Sequence, residues 1–91
     1  MLVIMSPMLI RLGSVEHTLD EKALVRIADP VNIPSIRSRV YDKERRFIGL
    51  VTDIIGPVSR PYAVVALKEK TIHSGTELFY EPPRRKYRHR E

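Results

Sequence analysis

The side chains able to do chemistry are sparse in this chain, and their spacing sets the first limits. Three histidines, His17, His73 and His89, stand far apart without metal-ligand spacing, and Ser74, which follows His73, stands in no pattern that marks an activated nucleophile. Cysteine is absent, so neither a disulfide framework nor a zinc–thiolate centre is available. Gly56-Pro57 interrupts the run of successive amide donors that a phosphate-cradling loop requires. The three histidines are expected in loops and in the C-terminal tail, as solvated residues. No catalytic residue, metal site, cofactor or small-molecule ligand is expected.

Charge points to a different chemistry. The net charge is +5, from 16 Lys and Arg against 11 Asp and Glu. Five of those cations, Arg84, Arg85, Lys86, Arg88 and Arg90, crowd the last eight residues, so the chain before them is almost neutral. A tail of this kind can reach phosphates, whereas a basic domain face would need cations spread through the folded part. Paired with single-stranded RNA, five such contacts would give a salt slope of about −3.5, at about −0.7 each. The aromatics Tyr41, Phe47, Tyr62, Phe79, Tyr80 and Tyr87 are too dispersed to form a base-stacking platform.

The elements that must position these residues are short. Proline and glycine cut the chain into brief apolar runs without repeats, which predicts strands near 8–15, 23–29, 38–42, 46–55, 62–68 and 76–81. Val25 and Ile27 share one face of the second strand, with Leu24, Arg26 and Ala28 on the other. Residues 42–45 read as a hairpin turn. Six short strands in 91 residues fit an all-β fold, a small six-stranded antiparallel barrel, because closure removes exposed edges. The barrel is expected over 8–81, after an N-terminal extension at 1–7 and before a basic, disordered tail at 82–91. The apolar run Met1 to Met5, broken at Ser6-Pro7, is far short of the roughly 20 residues of a membrane span. No membrane association is expected, and the setting is expected to be cytoplasmic.

Two strands are apolar on both faces. Strict alternation puts Phe47, Val51 and Ile55 on one side of 46–55, and Ile48, Leu50 and Ile54 on the other. In 62–68 it puts Ala63, Val65 and Leu67 opposite Tyr62, Val64 and Ala66. Only one face of each strand can enter a barrel, so something should cover the outside. A partner protein, a second copy, or residues 1–10 folding back would each serve. Between these strands, Pro57 and Pro61 stiffen a sharply shaped loop, which suits either a pre-organised docking element or a plain connection.

The stretch Ile48-Gly49-Leu50-Val51-Thr52-Asp53-Ile54-Ile55-Gly56-Pro57-Val58, followed by Pro61-Tyr62, resembles the signature of the archaeal glycine-arginine-rich subunit of box H/ACA ribonucleoproteins. Arg11-Leu12-Gly13, Pro34, Val40-Tyr41-Asp42, Gly75, Leu78 and Tyr80 extend the resemblance over most of 8–80. Gly-Arg repeats, present in eukaryotic members, are missing. The resemblance implies a non-catalytic accessory subunit that binds the catalytic domain of the pseudouridine synthase subunit directly. It would meet the other H/ACA proteins and the guide RNA mostly indirectly, and would aid substrate loading and product release in rRNA modification. It also implies partner-binding residues among Gly49, Val51, Asp53, Ile54, Gly56, Pro57, Val58, Pro61 and Tyr62. Within that set, Gly49 is expected to relieve a barrel bend and Asp53 to bond the following turn. Ile54, Pro57 and Val58 are expected as outward contacts. The competing reading is a small barrel that binds RNA directly through Arg84 to Arg90.

Overall fold

The computed structural model describes residues 8–68 and 71–82. The six expected strands form: β1 (Ile10–Leu19), β2 (Lys22–Ile27), β3 (Arg39–Asp42), β4 (Phe47–Ile55), β5 (Tyr62–Leu67) and β6 (Glu77–Tyr80). They close into one antiparallel barrel in the order β1-β2-β5-β4-β3-β6. Both the all-β class and the barrel match the expectation. The 1–7 extension and residues 83–91 of the tail lie outside the described residues.

Local chemistry explains the turns. Asp20 takes φ 58°, the left-handed conformation a two-residue hairpin needs, and Leu19 pairs with Lys22 across it. This carries β1 four residues beyond the expected end, so His17 sits in a strand and not in a loop. Pairing of His17, Thr18 and Leu19 with β2 extends the strand past the expected end. The 42–45 turn forms as expected, clamped by Asp42. Its Oδ1 accepts from the Glu44 and Arg46 amides at 2.9 and 2.8 Å, and its Oδ2 from the Arg46 guanidinium at 3.1 Å. Burial pushes this carboxyl up, but these donors outweigh it and hold it below the usual carboxylate range.

Leu12, Val25, Val40, Ile48, Val51, Val65 and Leu78 fill the centre and are fully buried. In β4 the expected alternation fails. Val40 pairs with Gly49 but Tyr41 with Phe47, leaving Ile48 as an extra residue. A second shift between Val51 and Asp53 leaves Thr52 extra on the β5 side. Each bulge flips the parity of the residues beyond it. Ile48 and Val51, an odd number of residues apart, therefore both face inward, while Leu50 faces solvent. β5 is regular, and its alternation is as expected: Ala63 and Val65 are buried and Leu67 packs on the core, while Tyr62, Val64 and Ala66 form the outer side.

Candidate partner-docking surface

The outer wall of β2, β5 and β4 is built by cross-strand rows. Leu50 pairs with Ala66 and Ala66 with Lys22; Asp53 pairs with Val64 and Val64 with Leu24; Ile55 pairs with Tyr62 and Tyr62 with Arg26. The middle of the wall is thus Leu24, Val64, Ala66, Leu50, Tyr62 and Ile55. Leu50 and Ile55 remain 38% and 44% exposed. Cations flank it, with Lys22 and Arg26 on β2 and Arg39 opposite Leu50 on β3. Asp53 is the acid in the central rows. Beside the wall lies a cavity of about 230 Å³ lined by His17, Leu19, Leu24 and Val64 among others. At the far edge, Phe47 stacks edge-on against Tyr41 at 5.8 Å.

The wall continues into a rigid loop. Gly56 adopts φ 95°, which side-chain-bearing residues rarely take, and the Arg60 amide bonds the Pro57 carbonyl at 3.0 Å. That turn holds Val58 at its tip, 88% exposed. The Pro61 carbonyl accepts from the Ile27 amide at 3.1 Å, and the Arg37 amide donates to the Val51 carbonyl at 2.6 Å. These two bonds tie loop 28–37 to the β4–β5 hairpin at one end of the barrel. Loop 28–37 adds Val31, Ile33 and Ile36, which are 85%, 41% and 49% exposed. Its own shape comes from Asp29, whose carboxylate accepts from the Val31 amide and the Asn32 side chain; these bonds lower its pKa.

The structure divides the expected site. Val51 is core, and Pro61 is buried at the base of the loop. Gly49 is buried beneath β5, where an added Cβ would collide with the Ala66 carbonyl oxygen. The glycine serves the close approach of two strands beside the first bulge of β4. Ile54 is half-buried and packs on the core, pairing with Ala63; the outward placement expected for it is corrected. Asp53 is exposed, and among the described residues its carboxylate bonds no donor, so it does not bond the turn as expected. Gly56, Pro57 and Val58 are exposed together at the loop, and Tyr62 is half-buried on the wall. Arg84, Arg85, Lys86, Arg88 and Arg90 lie outside the described residues.

Sequence reasoning missed Val31, Ile33 and Ile36. Their signal was present, as three aliphatic residues in a seven-residue stretch containing Pro30 and Pro34. What it lacked was any indication that this loop meets the hairpin. Chemically the surface offers apolar area and flanking cations. Among the described residues no group of three His, Asp or Glu side chains could hold a metal.

A closed barrel whose outer wall and loop tips are apolar belongs to the class of small binding domains. Residues 9–89 match the family model described as the Gar1/Naf1 RNA binding region. The chain belongs to this Gar1/Naf1 family of RNA-binding domains. Among solved structures it is similar to one titled "Structure of the Gar1 domain of NAf1", with a TM-score of 0.69 at 14% identity, covering 87% of this chain and 89% of that one. At that identity the likeness is one of fold.

Proposed function

We propose that this chain is a non-catalytic accessory subunit of an H/ACA ribonucleoprotein. It docks on the catalytic domain of the pseudouridine synthase subunit and aids substrate loading and product release in guided rRNA modification, in a cytoplasmic setting. One observation carries this reading: the apolar outer wall of Leu24, Leu50, Ile55, Tyr62, Val64 and Ala66, which runs on to Val58. Membership of the Gar1/Naf1 family supports the ribonucleoprotein context. A barrel needs its inner face apolar to fold, but an apolar outer face adds nothing to its own stability and costs free energy while wet. Prolines and hydrogen bonds fix the loop in advance, so little ordering entropy is lost on docking. The flanking Lys22, Arg26 and Arg39 suit a partner patch with carboxylates around an apolar centre.

The test is calorimetric titration of the full chain into an archaeal pseudouridine synthase subunit without RNA, followed by multiple-turnover assay of the guided complex. One-to-one binding with faster turnover is the expected result. Absence of binding, with salt-sensitive affinity for RNA alone, would overturn the proposal in favour of a directly RNA-binding barrel.

A further inference from the structure

We propose that the partner docked on the outer wall seats an apolar side chain in the cavity beside β1 and β2 and sets a cation against Asp53. This rests on the docking reading above and names the chemistry that the wall selects. The cavity, of about 230 Å³, lies among His17 and Leu19 on β1, Lys22 and Leu24 on β2, and Val64 on β5, and its lining is almost wholly apolar. Strand register runs one row across it: His17 pairs with Leu24, Leu24 with Val64, and Val64 with Asp53. Cavity and carboxylate therefore stand toward opposite ends of a single row, about 10 Å apart at about 4.8 Å per strand.

The two ends ask for different groups. The apolar lining gives an inserted polar group nothing to bond, and Lys22 among the lining residues disfavours a cation there. An apolar anchor, desolvated as it enters, gains most from such a concavity. Asp53 is exposed, and its carboxylate takes part in no hydrogen bond or ion pair among the described residues. Thr52 beside it gives its hydroxyl to the Val64 carbonyl at 3.2 Å. The cations of β2 lie in other rows: Lys22 in that of Leu50, and Arg26 in that of Ile55, where it pairs with Glu16. A partner that covered Asp53 with apolar surface alone would leave a carboxylate desolvated without a counter-charge, which opposes binding. A guanidinium or ammonium at that point removes the cost, and partners without one are rejected.

The experiment is calorimetric titration of the full chain and its variants into the pseudouridine synthase subunit without RNA, at about 0.1 M and about 1 M salt. Asp53→Asn should weaken binding about five- to tenfold at low salt, and the difference should shrink below about twofold at high salt, where charge pairs are screened. Val64→Thr keeps the branched shape but puts a hydroxyl at the cavity, and should weaken binding several-fold at both salt concentrations. Should that variant melt early, His17→Thr, at an exposed position on the cavity's other side, should give the same several-fold loss. Glu44→Gln removes an acid in the β3–β4 turn, off the wall, and should leave affinity unchanged. Unaltered affinity in Asp53→Asn or in both cavity variants, or an equal loss in Glu44→Gln, would overturn this assignment while the docking reading stands. Absence of binding by the unaltered chain, or a stable homodimer through the same wall, would overturn both.

Discussion

Aspartate placed at Val58 and at Ile54 separates docking from folding within one hairpin. Val58 is 88% exposed in the free chain, so Val58→Asp removes almost no intramolecular contact and should change stability by less than about 0.5 kcal/mol. Burying a valine side chain at an interface contributes about 1.5 kcal/mol, and nearly all of it is still unclaimed at this tip. A carboxylate there adds its desolvation, so affinity for the synthase subunit should fall at least about tenfold. Ile54 behaves in the opposite sense. It packs on the core beside Ala63, and a charge there should cost about 2 kcal/mol or more. For a domain of this size that lowers Tm by roughly 10 °C. Circular dichroism melts and calorimetric titration, run on both variants, give the four numbers required. Unchanged affinity in Val58→Asp, with an intact fold, would refute the assignment of the loop tip to the interface.

Gly49→Ala should destabilise the barrel by about 3 kcal/mol or more, visible as an early thermal melt, because its Cβ meets the backbone oxygen of Ala66 and not a side chain that can turn aside. Asp42 is more acidic in the fold than in the unfolded chain, so its stabilisation is present above pH about 4 and is lost as pH falls through the folded value. Asp42→Asn should therefore lower stability at pH 7 and leave a shallower loss between pH 4 and 2 in chemical denaturation. Removal of residues 83–91 should leave affinity for the synthase within twofold in the RNA-free titration, since β6, which leads into Pro82, lies across the barrel from β5 at the centre of the proposed docking wall; a tenfold loss would move the interface to the tail.

Much of this protein was determined by local pattern. Proline and glycine punctuation with β-prone runs placed all six strands, and period-two alternation assigned both faces of β2 and β5, since a regular strand has no other way to point its side chains. The doubly apolar character of 46–68 left an apolar face for the outside of the barrel, and the outer wall carries one. The resemblance in 48–62 pointed to the family. Tertiary structure decided the rest. Whether Ile54 or Leu50 faces solvent depends on two bulges in β4, and a bulge is set by how each neighbouring strand pairs, which no window of residues contains. Gly49 is required by a carbonyl seventeen residues away, on Ala66. His17 became a strand residue because β2 was there to pair with it. Val31, Ile33 and Ile36 reach the same barrel end as Val58 through the bonds of Ile27 to Pro61 and Arg37 to Val51. The sequence specified which side chains were available, and closure of the barrel, a long-range pairing of backbones, decided which of them share a surface.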